Sequence, residues 1–138
     1  MLPKAKTKEV LNWFIRAKRD LTIANMNLAN NPPITDDAVF HCQQAVEKAL
    51  KGFLVLHDRP FKKTHIIGDL SPDVLRIAPT LEPLLKQATE LTPYATMFRY
   101  PGELDLPSLE DSSDALVIAQ RVFDAIICQV PAEALPPK

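Results

Sequence analysis

Near the N-terminus, apolar residues recur at alternating steps of four and three: Val10, Phe14, Ala17, Leu21, Ala24 and Leu28. That spacing lays one stripe along a 3.6-residue helix, so a helix is predicted over residues 7–30, stopped by Pro32 and Pro33. A second is predicted over residues 35–57, with Thr35 as cap and Asp36 and Asp37 at the positive end of the helix dipole. On it Cys42, Ala45, Val46, Ala49, Phe53 and Leu56 share one face. Ser71-Pro72-Asp73 reads as cap, fixed first residue and dipole-matched acid. Pro79 and Pro83 then divide the chain into short helices over 71–78 and 80–91. Residues 94–107 hold several turn formers and read as a surface loop. The last helix is predicted over 108–129, with Ala115, Ile118, Ala119, Val122 and Ile126 on one face. No window alternates apolar and polar positions over a strand's length. Amphipathic segments joined by loops hide their stripes only against each other. The expected fold is therefore all-α: an antiparallel four-helix up-and-down bundle with one extra short helix, a single domain over residues 1–130. The tail, 131–138, with three prolines, is expected to fray.

Composition narrows the class. The 138 residues are 46% hydrophobic and 24% charged, with no apolar run near the roughly 18 residues of a membrane span. The basic N-terminus is not followed by an apolar stretch of the kind a secretory signal needs, and a cytoplasmic, membrane-free protein is expected. Cys42 and Cys128 lie among apolar neighbours and read as reduced thiols. The net charge is −1 but unevenly placed: residues 1–63 hold 11 Lys/Arg against 6 Asp/Glu, and residues 64–138 hold 5 against 11. The two halves either orient a charged partner or salt-bridge each other.

The sequence excludes several chemistries. Gly52, Gly68 and Gly102 are isolated, so there is neither a nucleophile elbow nor a phosphate-binding glycine loop. His41 and Cys42 are adjacent on a helix and point about 100° apart, which rules them out as a metal pair. Glu110, Asp111 and Asp114 open a helix and read as capping charges. No metal or cofactor is implied. His41, Gln44 and Lys48, in contrast, fall within about 60° of one another on the second helix. An imidazole, an amide and an ammonium thus form one ridge able to grip a polar ligand, or simply a wet face.

Residues 40–54, Phe-His-Cys-Gln-Gln-Ala-Val-Glu-Lys-Ala-Leu-Lys-Gly-Phe-Leu, followed by Lys63-Thr64-His65, resemble the second helix and following loop of HEPN domains. That family's recurrent form is an aromatic, His, a small residue, two polar positions, then small-small-Glu-Lys-Ala-Leu-Lys. The stretch from Trp13 to Ala24, the Phe98-Arg99-Tyr100-Pro101 loop and the last helix fit the same layout. The resemblance implies a four- to five-helix bundle that dimerises. It also implies either a ribonuclease or a non-catalytic module that binds a nucleotide and pairs with a small nucleotidyltransferase, as in toxin-antitoxin systems. The family's ribonucleases carry Arg followed four to six residues later by His; here Arg99 is followed at 103–105 by Glu103, Leu104 and Asp105, and no His lies beyond His65. Acid-base cleavage of RNA needs a group that titrates near neutrality. A non-catalytic, nucleotide-binding homodimer is therefore expected, with His41, Gln44, Lys48, Lys63, His65, Arg99 and Tyr100 as ligand-binding residues. A degenerate ribonuclease or toxin using His41 or His65, and a purely structural adaptor, are the alternatives. Each site residue also has a plain structural use, such as His65 fixing its loop or Arg99 pinning the acidic segment after it. Phe40, Leu54 and Val55 give the second helix another apolar side, meaning either that it is buried centrally or that it meets a second subunit.

Overall fold

The computed structural model describes residues 2–98 and 105–138, and the described residues contain helices and no strands. Five α-helices follow in order: α1, Lys4–Ala29; α2, Thr35–Leu56; α3, Ile67–Ile77; α4, Glu82–Thr89; and α5, Leu109–Ile127. Short 3-10 turns stand at Pro79–Leu81, Thr92–Ala95 and Ala132–Ala134. No described helix is long and apolar enough to cross a membrane.

α1 and α2 form an antiparallel pair, because their partners advance along one helix as they retreat along the other. Asn27 bonds Asp37, Asp20 meets His41 and Lys48, Gly52 lies against Trp13 and Phe14, and Lys6 pairs with Asp58. The helices approach closely at Gly52: a Cβ there would lie 2.9 Å from Trp13 Cβ and 3.0 Å from Phe14 Cε1. α2 packs most extensively on α1, then on α5, and also on α3 and the 92–95 turn. Fifteen of its positions are buried, on every side. Full burial of Leu50, Phe53 and Leu54 contributes about 1.5–3 kcal/mol each. The second apolar side of α2 is thus consumed within the chain: Leu54 is fully buried and Val55 packs against the core.

α2 ends in a Schellman closure. Asp58, in the left-handed region at φ 56°, donates its N–H to Val55 O at 3.1 Å, and Arg59 N–H reaches Leu54 O at 2.9 Å. Asp tolerates this conformation better than most side chains, and its carboxylate holds Lys6 at 2.8 Å.

Three expectations are corrected. Thr35 is the first helical residue rather than the cap; Ile34 takes that place without a side-chain bond, while Asp36 and Asp37 do occupy the first turn. Ser71-Pro72-Asp73 lies inside α3 rather than opening it. The buried Ile67, Leu70 and Val74 carry the apolar stripe back past Pro72, and Thr64 Oγ1 accepts the Ile66 N–H at 3.0 Å while donating to Asp69. The tail also packs where fraying was expected. Ala134 is fully buried, the 132–134 turn contacts α1, and Lys18 Nζ donates to Pro137 O. α5 begins as expected, with Ser108 Oγ accepting the Asp111 N–H at 3.0 Å.

Candidate functional site

The site grows from how deeply α2 is buried. Between residues 41 and 50 only His41, Gln44 and Lys48 are partly open, and the 3.6-residue period puts them in one seam. Asp20 of α1 lies beside that seam, only 5% exposed. A nearly buried carboxylate needs donors, and it has two. Asp20 Oδ1 lies 2.7 Å from His41 Nδ1, and its Oδ2 accepts from Lys48 Nζ at 2.7 Å. His41 Nε2 stands 3.4 Å from Asp37 Oδ2, whose other partner is the Asn27 amide at 2.8 Å. The Phe40 ring meets the imidazole edge-on, with centroids 5.2 Å apart. His41 and Lys48 are therefore brought together, across a carboxylate that the helical pattern did not single out.

Gln44 turns the other way. Its Nε2 donates to Gln43 Oε1 at 2.7 Å, and the fully buried Gln43 donates to the carbonyl of His65 at 3.0 Å. His65 Nδ1 lies 2.7 Å from Oε1 of the buried Glu47. Glu47 and Gln43 thus pin the 63–65 loop to α2. Lys51, four residues after Glu47 and 3.9 Å from it, is buried and lies over the rings of Trp13 and Phe61 at 5.8 and 5.6 Å. Its charge is therefore withheld from solvent. The Glu47–Lys51 spacing was itself a legible signal for the pair. Lys63 stands exposed on the pinned loop. Arg99 and Tyr100 lie outside the described residues.

The third histidine, His57, sits at the end of α2 against the Phe53 ring at 4.6 Å. Burial and then the Lys6 charge lower its pKa below the ordinary value, and it takes no part in the seam. Behind the seam, burial and then Asp20 push the Cys42 thiol up to about 12. Burial also raises the Tyr94 phenol, with Asp111 adding to the effect. Both cysteines are free, and among the described residues no His, Cys, Asp and Glu group has the geometry to hold a metal. The principal cavities at the described surface are lined by other residues than His41, Gln44 and Lys48. The seam is a polar strip set apart from these cavities.

An all-helical domain built round one nearly engulfed helix, whose open seam carries His, Gln and Lys over a buried carboxylate, defines the class. The HEPN domain model matches residues 10–129, and the chain belongs to the HEPN domain family. It is similar to the Methanocaldococcus jannaschii protein named "Putative toxin MJ1304", 32% identical over 126 residues that cover 80% of this chain and 81% of that one. No solved structure gives a significant match.

Proposed function

We propose that this chain is a toxin-like HEPN module that binds a nucleotide without cleaving RNA, acting as a homodimer beside a nucleotidyltransferase partner. The observation that carries this reading is the seam. Between residues 41 and 50 of a largely buried helix, the partly open positions hold an imidazole, an amide and an ammonium, and Asp20 fixes the first and last of these in place. Groups fixed before a ligand arrives lose little freedom on binding. Because Asp20 and Asp37 offset the charge of Lys48, recognition rests on directed hydrogen bonds more than on net charge. Lys63 on the adjacent loop and Arg99 with Tyr100 complete the proposed set, an ammonium, a guanidinium and a flat ring suited to phosphate and base. Membership of the family and the likeness to a protein named as a toxin support the module; the absence of any His beyond His65 supports its being non-catalytic. Titration calorimetry with ATP, GTP and AMP is the test. Saturable binding that His41→Ala or Lys48→Ala weakens about tenfold, the worth of one lost polar contact, is expected; no saturable heat with any of the three rejects the reading.

One geometric fact favours a second reading. The buried Asp20 carboxylate 2.7 Å from Nδ1 orients the His41 imidazole as a general base is oriented, with Nε2 on the far side of the ring 3.4 Å from Asp37 Oδ2. On that reading the chain is a ribonuclease-like toxin centred on Asp20 and His41. Incubation with structured RNA then gives cleavage that both His41→Ala and Asp20→Asn abolish, whereas intact RNA ends it.

A further inference from the structure

The outward face of α1 carries a charge pattern that the fold does not use. Lys4, Lys6 and Lys8 fill its first turns, with no acid in the first turn, although the positive end of the helix dipole favours acids there. Lys6 is paired with Asp58. Lys4 and Lys8 are exposed, four residues apart on one face, and repel each other. Arg16 and Arg19 are exposed farther along. None of these four exposed cations has an ion pair among the described residues. At 100° per residue Lys4, Lys8, Asn12, Arg16 and Arg19 lie within about 120° of each other, opposite the buried Val10, Phe14, Ala17 and Leu21. From Lys4 to Arg19 the stripe is about 22 Å long at 1.5 Å per residue. Glu9 at its margin is the one acid.

Two cavities flank this stripe. One is lined by Glu9, Asn12, Trp13 and Arg16. The other lies between α1 and the folded tail, with Ile15, Lys18, Arg19 and Lys138 in its walls. The Trp13 cavity, about 210 Å³, is below the roughly 300 Å³ at which small-molecule pockets begin, so it has room for one flat group and not a whole cofactor. Its walls offer an indole, a side-chain amide and a guanidinium, with the Glu9 carboxylate on one side.

A ligand that fits both features is a polymer with regular negative charge and flat appendages. An acidic peptide supplies the charge without the flat groups, and a duplex keeps its bases stacked inside. A single strand supplies phosphates for the cations and an unstacked base for an aromatic wall. We propose that the outer face of α1 binds single-stranded nucleic acid, with the backbone running along Lys4, Lys8, Arg16 and Arg19 and one base entering the Trp13 cavity. This face is distinct from the α2 seam and does not depend on the nucleotide reading of that seam.

The test is anisotropy of a labelled single strand of about 12 nucleotides, within the usual site size, titrated with the full chain over a range of salt concentrations. Trp13 is the chain's one tryptophan, so its fluorescence reports the cavity directly. Saturable binding with Trp13 quenching is expected. Lys8→Gln/Arg16→Gln/Arg19→Gln should weaken binding at least about tenfold and lower the slope of log affinity against log salt by about 2, near 0.7 per lost phosphate contact. Its helical circular dichroism should match the parent, because all three side chains are exposed. Absence of binding at low salt, binding that the triple variant leaves unchanged, or equal affinity and equal Trp13 quenching with polyglutamate would each overturn the proposal. The last outcome would assign the face to an acidic protein.

Discussion

A carboxylate that is 5% exposed between two helices carries a desolvation cost that only close donors offset. Asp20 has His41 and Lys48, each at 2.7 Å. Both donors are partly open to water, at 18% and 23% of their side-chain surface, so loss of the carboxylate strands them less severely than fully buried charges. Asp20→Ala is expected to destabilise the fold by about 2–3 kcal/mol, below the roughly 3–5 of a fully buried pair, read as a lower urea midpoint at unchanged slope. A change under about 0.5 kcal/mol, the range of an ordinary surface substitution, would mean that the cluster adds nothing to the fold. His41 and Lys48 were legible in the sequence as neighbours on a ridge, because helical spacing fixes which residues of one helix align. Asp20 was not, since nothing in α1 alone says what lies opposite it. Cys42 offers a second check at this scale. Its thiol is fully buried with its pKa pushed up to about 12, whereas Cys128 is exposed, and the thiolate is the reactive form. At pH 8 a disulfide reagent should label Cys128 in the folded protein and reach Cys42 only after denaturation; two thiols reacting at the same fast rate would contradict the packing behind the seam.

At the scale of helices, the long apolar stripes were readable and the short connections were not. Val10, Phe14, Ala17, Leu21 and Ala24 on α1 and Ala115, Ala119, Val122 and Ile126 on α5 are buried, because a 3.6 period over several turns has one interpretation, while Leu28 and Ile118 of the same stripes are only half-buried. Proline misled at α3: Pro72 was taken as an opener, but Ile67 and Leu70 on one side and Val74 on the other bury together, and that burial outweighs the missing N–H. The tail misled in the same way, since Ala134 finds a slot against α1 that proline content does not reveal. The close helix contact at Gly52 yields a prediction. A methyl at Gly52 would meet Trp13 Cβ at 2.9 Å and Phe14 Cε1 at 3.0 Å, both held in place within the α1–α2 contact, so the helices must separate. Overpacking of this kind costs about 1–3 kcal/mol, against a gain of about 1 kcal/mol for replacing glycine inside a helix. Gly52→Ala should be net destabilising by up to about 2 kcal/mol, with a shift in Trp13 fluorescence. A variant more stable than the parent would show that the two helices yield without penalty.

For the molecule as a whole, the proposed homodimer needs a surface, and burial narrows the choice. Of the face that points to association on α2, Leu54 is fully buried and Val55 packs on the core, while Phe40 is half-buried beside His41. Beside the exposed Met26, Ile34, Ile66 and Met97, the large apolar side chains open to solvent include Leu106 at 65%, Leu109 at 52% and Val117 at 48%, just before and along α5. Isolated exposed apolar residues are common and mean little, but these three lie just before and along the first half of one helix. A two-fold dimer uses the same patch on both subunits, so one substitution places two charges in the contact. Leu109→Lys/Val117→Lys therefore adds four positive charges to a symmetric interface while altering only exposed side chains in each monomer. Light scattering coupled to size exclusion should report the parent as a dimer and this variant as a monomer, with helical content and thermal midpoint of the monomeric fold retained. A parent that is monomeric at every concentration would dispose of the dimer. A variant that stays dimeric would keep the dimer but move its contact away from α5.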